Sequence, residues 1–122
     1  MIHITGKVIK GQRYGRVLGF PTANLDRREY LRKNIKIRFG VYSGFAMLQS
    51  GKKYKSAIVI GPLDKHHLPK IEAHFINFKG NLYGKKISII LKKFIRPFKK
   101  YKNVNDLKQQ VNKDLQKIKK LK

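Results

Sequence analysis

The sequence predicts a mainly β fold, either an antiparallel barrel or a sandwich, with an α-helix at the C-terminal end. Three observations predict this fold class. Strand-like apolar runs follow one another closely and are separated by short turns, which is typical of antiparallel sheets. The last apolar residues change to a helical period. The length of 122 residues suits one domain with one hydrophobic core.

The N-terminal segment alternates apolar or small residues with mostly polar ones: Ile2, Ile4, Gly6 and Val8. This period of two predicts the first strand. Residues 11–21 hold three glycines and one proline and therefore predict a loop. The charged residues 26–38 predict a loop that could include a short element of structure.

Four further strand-like runs follow, at residues 40–48, 54–61, 71–78 and 82–95. The turn residues Ser50 and Gly51 make the first two runs a predicted hairpin. The run at residues 82–95 predicts one long strand or a bent pair. Glycine and proline between residues 61 and 69 predict another loop.

The apolar residues of the C-terminal segment lie at i, i+4, i+8 and i+11, on one face of a helix: Leu107, Val111, Leu115 and Ile118. Asn103 and Asp106 fit an N-cap and an acid in the first turn. We therefore expect a helix over about residues 104–120, packed on strands over about residues 1–96. All of residues 1–122 belong to one domain in this prediction.

Charge is the strongest bias of the composition, because 30 Lys and Arg against 6 Asp and Glu give a formal net charge of +24. Such a field attracts polyanions, so binding to RNA or DNA is the first hypothesis. A lysine-rich solvated surface on an enzyme would produce the same excess. Five aromatic residues on predicted strands could stack bases, although such residues are more often core: Tyr42, Phe45, Phe75, Phe78 and Tyr83.

The absence of cysteine excludes disulfides and thiolate metal sites. The N-terminal residues include no continuous apolar stretch and predict neither a signal peptide nor a membrane span. We therefore expect a cytoplasmic protein with no membrane partner. His66 and His67 are adjacent and would point apart, so no zinc site is predicted.

The segment GFPTANL, residues 19–25, is the most informative short stretch. Thr22 and Asn24 would point to the same side of an extended segment, which Pro21 favours. A hydroxyl and an amide oxygen suit Mg²⁺ on a nucleotide, since phosphates and water supply its other ligands. Upstream glycines and Arg16 could contact phosphate oxygens. An ordinary turn is the alternative, because the segment matches neither the Walker nor the dinucleotide-binding pattern.

Longer motifs occur in an order that resembles riboflavin kinases: GKVIKG, GRVLGFPTANL, GVYSGFA, IEAHFINFKGNLYGKKI, FIRP and the amphipathic C-terminal segment. The resemblance covers nearly the whole chain. It implies a six-stranded antiparallel Greek-key β-barrel with a C-terminal helix. It also implies transfer of the γ-phosphoryl group of ATP to the 5′-hydroxyl of riboflavin, giving FMN and ADP. Mg²⁺ is the implied cofactor, and a monomer is expected.

The resemblance further implies roles for residues that match the family's motifs. Glu72 matches the catalytic base, and Thr22 and Asn24 match the magnesium ligands and nucleotide contacts. The other residues that match nucleotide contacts are Gly11, Arg16, Phe75, Asn77 and Tyr83. Those that match flavin contacts are Arg96, Lys99 and Tyr101.

The chemistry of Glu72 agrees with a role as base. Phosphoryl transfer depends mostly on positioning and charge stabilisation, with one group that orients or deprotonates the nucleophile. A carboxylate beside a hydroxyl can do this. A strand-face Glu paired with a lysine is the alternative. His74 shares the face of Glu72 if the strand is regular, and no role is assigned to it.

The chain departs from the family's pattern at two places. In the segment from Val59 to Asp64, Val59 stands where riboflavin kinases usually have Asn, and Pro-Leu-Asp stands where they have Pro-Thr-Phe. Phe98 stands where an acid commonly follows Arg-Pro. An inactive relative that keeps the flavin or nucleotide pocket is therefore an alternative to a kinase, as is a nucleic-acid-binding barrel. The resemblance covers only the kinase module of the bifunctional bacterial enzymes, so FAD synthesis is not expected.

Overall fold

The computed structural model describes residues 2–9, 22–33, 36–63 and 66–121. Six strands and two helices lie in these residues. In chain order they are β1 (Ile2–Ile9), β2 (Thr22–Leu25), α1 (Arg28–Lys33), β3 (Gly40–Met47), β4 (Lys53–Leu63), β5 (Pro69–Phe75), β6 (Lys86–Pro97) and α2 (Val104–Lys119). No helix in the described part of the chain is long and apolar enough to cross a membrane.

The strands close into an antiparallel barrel in the order β1-β2-β5-β4-β3-β6. The barrel that the family resemblance implied is therefore confirmed, and the sandwich is excluded. β3 and β4 form the predicted hairpin, paired from Gly40 with Ile60 to Met47 with Lys53. Of the two alternatives for residues 82–95, the single long strand is found: it is β6, whose pairing with β3 shifts register twice.

Apolar side chains from every strand fill the barrel interior. One residue from each strand with 2% exposure or less illustrates this core: Ile4, Leu25, Ala46, Ile58, Phe75 and Ile89. Fully burying a large apolar side chain contributes roughly 1.5–3 kcal/mol before the entropy cost of ordering it. Because side chains alternate along a strand, the polar residues between these positions lie on the outer face of the barrel.

α2 packs on the outer face of the barrel and makes a second apolar core there. Asn103 is its N-cap as predicted, since the Asn103 Oδ1 accepts a hydrogen bond from the Asp106 amide at 2.9 Å. The predicted apolar face of the helix points towards the strands. The buried residues of this core are Val111, Leu115 and Ile118 from α2, with Val41, Ala57 and Ile76 from the barrel side.

α1 is the short element that the prediction for the charged residues 26–38 allowed. Two segments differ from the sequence prediction. β4 continues through Gly61 and Pro62 to Leu63, because its pairing with β5 resumes at Leu63–Pro69 after a register shift. β5 ends at residue 75, and the positive φ of 61° at Asn77 is incompatible with a regular strand. The loop predicted at residues 11–21 lies outside the described residues.

Candidate active site

A cavity of about 460 Å³ lies between the outer face of the barrel and α2. β2 to β6, residues 98–103 and α2 all contribute to its walls. One wall is apolar and consists mainly of Val41, Ala57, Val59, Leu107 and Val111. Another wall is polar and carries Thr22, Glu72 and His74. Lysines form a basic edge at positions 70, 99, 100 and 102.

The pairing of β2 with β5 sets the polar wall. Thr22 faces His74 and Asn24 faces Glu72 in this pair. Ala23, between the two β2 residues, belongs to the barrel core, so the four polar side chains share the outer face. The Thr22 Oγ1 lies 2.9 Å from the His74 Nδ1. The structure therefore brings the predicted hydroxyl, amide and carboxylate to one surface, with Thr22 and Glu72 in the cavity wall and Asn24 beside Glu72.

Glu72 occupies a mostly buried position, with 23% of its side chain exposed. Burial raises the pKa of its carboxyl group, and the charge of Lys70 partly opposes this shift. Its neighbour across the β4–β5 pair is Val59, whose side chain can donate no hydrogen bond. A carboxylate in such an environment binds a proton more readily than one in water, as a general base requires.

His74 lies deeper, with 7% of its side chain exposed. Burial lowers the pKa of its imidazole to about 4, and the charge of Asp114 opposes this shift. The ring is therefore neutral near pH 7. Its Nε2 lies 4.0 Å from the Glu72 Oε2, so at that pH a neutral ring faces the carboxyl group. The Glu-x-His spacing on one strand was the available sequence signal for this contact.

Arg96 at the end of β6 forms a buried ion pair with Asp114 in α2. The Arg96 Nη2 donates to the Asp114 Oδ2 at 2.8 Å, and the Nε donates to Oδ1 at 3.1 Å. The Gln110 side chain donates a further hydrogen bond to Asp114. Sequence reasoning missed this acid, although its position three residues after Val111 and four before Ile118 places it on the apolar face of the helix.

Two of the predicted flavin contacts, Lys99 and Tyr101, line the same cavity as Arg96. The centre of the Tyr101 ring lies 6.0 Å from the Arg96 guanidinium carbon and 5.8 Å from the Lys99 Nζ. Burial raises the pKa of the Tyr101 hydroxyl, and the charge of Arg96 opposes this shift. That hydroxyl is buried and has no hydrogen-bond partner among the described residues. A buried polar atom of this kind can bind a polar atom of a ligand.

The other predicted nucleotide contacts are not found in the described wall of this cavity. Phe75 is 1% exposed in the barrel core, so its ring is already packed against protein. Asn77 is exposed in the turn after β5, and Tyr83 is 56% exposed before β6. Gly11 and Arg16 lie outside the described residues. The nucleotide-binding roles of all five stay predictions.

A family model described as "Flavokinase: Riboflavin kinase" matches residues 1–122. The chain belongs to the riboflavin kinase family. The family predicted from the motifs is thereby confirmed. A bifunctional riboflavin kinase/FMN adenylyltransferase of Buchnera aphidicola subsp. Schizaphis graminum is 40% identical over 123 residues, which cover 96% of this chain and 38% of the relative. The chain thus spans well under half the length of that relative.

Two solved structures are similar to this riboflavin kinase family member. A crystal structure described as a macrolide-efflux protein from Streptococcus pneumoniae has a TM-score of 0.83 at 25% identity, covering 98% of this chain and 39% of that one. A riboflavin kinase from Trypanosoma brucei has a TM-score of 0.68 at 21% identity, covering 96% of this chain and 74% of that one. The second likeness supports the fold alone.

Both departures from the riboflavin kinase pattern lie in the cavity wall. Val59 and Phe98 line the cavity, and each is an apolar residue where the resemblance led us to expect a polar one. Val59 directly faces Glu72 across the strand pair. The surroundings of the Glu72 carboxyl group are therefore more apolar than they would be with Asn at position 59.

The oxygen donors of this family member suit a cation that arrives with a nucleotide. Among the described residues, no group of three or more His, Cys, Asp or Glu could hold a metal ion. The Thr22 hydroxyl and the Asn24 amide oxygen are hard, neutral donors, and Glu72 is the nearby carboxylate. Mg²⁺ bound to ATP takes most of its ligands from phosphates and water and needs few from protein. The residues present therefore fit such a cation.

Proposed function

We propose that the chain is a riboflavin kinase that transfers the γ-phosphoryl group of ATP to the 5′-hydroxyl of riboflavin, giving FMN and ADP. One observation carries this proposal. Thr22 and Glu72 lie in the wall of one cavity, and Asn24 shares their face of the strand pair beside Glu72. Membership of the family supports the interpretation of this constellation as a site for phosphoryl transfer in preference to an ordinary ion-pair surface.

Glu72 acts as the general base in this mechanism. Its carboxylate takes the proton of the ribityl 5′-hydroxyl while the oxygen attacks the γ-phosphorus in line with the leaving group. A bond forms between the 5′-oxygen and phosphorus, and the bond from phosphorus to the bridging oxygen of ADP breaks. The raised pKa of the Glu72 carboxyl group favours this proton transfer.

Thr22 and Asn24 hold the nucleotide end of the site. Their side-chain oxygens would hold Mg²⁺ that arrives with ATP, and this cation would supply positive charge to the transferred group. Both residues lie in β2, so the barrel rather than a loop determines their spacing. Arg16 and the amides near Gly11 would add contacts to phosphate.

The flavin occupies the apolar part of the cavity. Val59 and Leu107 offer an apolar surface to its ring system, and the Tyr101 hydroxyl, which has no partner in the described part of the chain, offers a hydrogen bond. Arg96 and Lys99 lie beside the Tyr101 ring, 6.0 Å and 5.8 Å from its centre. Arg96 remains paired with Asp114 when the flavin is bound. Its contribution is therefore mainly to the shape and the charge of the cavity wall.

The test is incubation with riboflavin, ATP and MgCl₂, followed by chromatographic separation of riboflavin, FMN and FAD. We expect FMN to appear in proportion to ADP, with none in reactions that lack Mg²⁺ and formation about 10²–10⁴-fold slower with the Glu72→Gln variant. An absence of FMN with the unaltered chain, under conditions where it binds ATP, would favour the inactive relative. That the protein acts as a monomer in the cytoplasm stays a prediction.

Binding to nucleic acid is proposed only as a non-specific effect of charge. Tyr42 is 9% exposed and Phe75 is 1% exposed, so two of the five aromatic residues considered for stacking are part of the core. A titration with oligonucleotides at two salt concentrations distinguishes non-specific binding through charge from a specific nucleic-acid-binding function. Weak binding that disappears at the higher salt is expected from charge alone.

A further inference from the structure

We propose that His74 is a positioning residue: its Nδ1 accepts a hydrogen bond from the Thr22 hydroxyl, and its Nε2–H faces the Glu72 carboxylate. One neutral imidazole then orients both the hydroxyl and the carboxylate. The use of the Thr22 oxygen for a cation rests on the proposed function. The direction of the hydrogen bond is a property of the chain by itself and can be tested separately.

The contacts of the ring with Thr22 and Glu72 favour one tautomer. The distance of 2.9 Å between the Thr22 Oγ1 and the His74 Nδ1 is a hydrogen bond in which either atom could be the donor. A neutral imidazole carries one N–H, and its other nitrogen is an acceptor. With the proton on Nδ1, the lone pair of Nε2 would point at the Glu72 Oε2 from 4.0 Å and repel it. With the proton on Nε2, the same contact is attractive.

The Nε2–H tautomer leaves Nδ1 as an acceptor, so the Thr22 hydroxyl must be the donor. Its single proton is then directed at His74, and the lone pairs of the Thr22 oxygen remain available to the cavity. This is the arrangement that a cation requires, since it binds oxygen lone pairs and is repelled by an O–H dipole pointing at it. The opposite direction would leave the hydroxyl proton free to point into the cavity.

Burial makes this arrangement persistent. His74 is 5% exposed, so little water competes for its ring nitrogens. Thr22 and His74 are directly paired across β2 and β5, and Glu72 is two residues from His74 on the same strand face. The three side chains are therefore spaced by the barrel itself. Partners of this kind, which orient a metal-binding side chain, commonly affect metal affinity or activity by about 10–100-fold.

The first test is nitrogen NMR of the chain labelled with ¹⁵N-histidine, near pH 7 and without nucleotide or metal. The His74 signals are identified by their loss in His74→Gln, and His3, His66 and His67 serve as internal references. We expect the Nε2–H tautomer, with an Nδ1 resonance that shifts in Thr22→Val and stays in place in Thr22→Ser. A dominant Nδ1–H tautomer, or an Nδ1 signal indifferent to Thr22→Val, would overturn the assignment.

The second test measures binding of Mn²⁺·ATP by water-proton relaxation, with Mn²⁺ as a paramagnetic substitute. The amide of His74→Asn lies near the Nδ1 position and can accept the Thr22 proton, whereas that of His74→Gln lies near the Nε2 position. We expect His74→Gln and Thr22→Val each to weaken binding by about 10–100-fold, His74→Asn to weaken it less, and the double variant to be no worse than Thr22→Val alone. Equal losses in the two His74 variants, or additive losses in the double variant, would contradict a role through Thr22.

These tests separate the inference from the proposed function. If the chain forms no FMN but shows the expected tautomer and the expected response to Thr22→Val, the kinase proposal fails and the hydrogen-bond assignment stands. If FMN forms and the tautomer is reversed, the kinase proposal stands and His74 is not its positioning residue. Thermal unfolding of each variant establishes that the compared proteins are folded.

Discussion

Arg96 and Asp114 join the end of the barrel to the helix that covers the cavity, with the Arg96 Nη2 2.8 Å from the Asp114 Oδ2. Both side chains are largely removed from water, since 21% of Arg96 and 5% of Asp114 is exposed. The same helix supplies Leu107 and Val111 to the apolar wall. The ion pair therefore holds one wall of the site in place, in addition to whatever Arg96 contributes to a ligand.

We expect Asp114→Ala to lower the free energy of unfolding by about 3–5 kcal/mol, because it leaves the Arg96 guanidinium in a mostly buried position without its partner. The matched control is Asp106→Ala in the first turn of the same helix, where an exposed acid contributes only about 0.3–1 kcal/mol. Urea unfolding followed by circular dichroism measures both values. Equal losses in the two variants would mean that the buried pair has no special role.

Glu72→Gln should reduce kcat for FMN formation by about 10²–10⁴-fold, the usual contribution of a general base. The variant should be no less stable near pH 7, because the raised pKa of Glu72 means that folding disfavours its ionised form. Glu29→Gln on α1 is the control, since that acid pairs with Arg32 at the surface. Near-normal turnover in Glu72→Gln would show that this carboxylate is not the general base.

Val59→Asn should shift the acidic limb of the pH–activity profile to lower pH. The side-chain amide of Asn at position 59 would face Glu72 across the strand pair. Its N–H would stabilise the ionised form of the Glu72 carboxyl group and so lower the pKa of that group. Val59→Ile keeps the position apolar and should leave that limb in place. The quantity to measure is kcat/KM for riboflavin against pH, and a shift to higher pH in Val59→Asn would contradict the argument.

The stability of the protein should fall between about pH 6.5 and pH 4 because of His74. Its pKa is lowered from 6.5 to about 4 by burial, so the unfolded state takes up the proton first as the pH falls. The loss is on the order of 3 kcal/mol when complete, at 1.36 kcal/mol for each pKa unit. Stability attributable to this group is fully present above pH 6.5.

The carboxyl group of Glu72 acts in the opposite sense, since its raised pKa makes the folded state take up a proton more readily as the pH falls. The effect of His74 is therefore isolated in a Glu72→Gln background, with and without His74→Asn. We expect the acid-induced loss of unfolding free energy to disappear with His74→Asn. A loss of the same size in both proteins would assign it to other groups.

Local patterns in the sequence were sufficient for most of the elements and for the family. Alternation at Ile2 to Val8 predicted β1, and the spacing of Leu107 to Ile118 predicted the buried face of α2. The Pro-Thr-Ala-Asn and Glu-x-His motifs indicated the family that the comparison confirms. These predictions succeed because periodicity, caps and motifs depend on residues close together in the chain.

The tertiary structure alone decided which distant residues meet. Closure of the barrel pairs Thr22 with His74 across about fifty residues of chain, and it sets Val59 against Glu72. Packing of α2 buries Asp114, which composition would assign to a solvated face. Such contacts depend on strand register and helix docking, and a shift of one residue would turn each side chain to the opposite face. The sequence by itself therefore determined the elements and the kind of chemistry, and the closed barrel determined the partners that each functional side chain has.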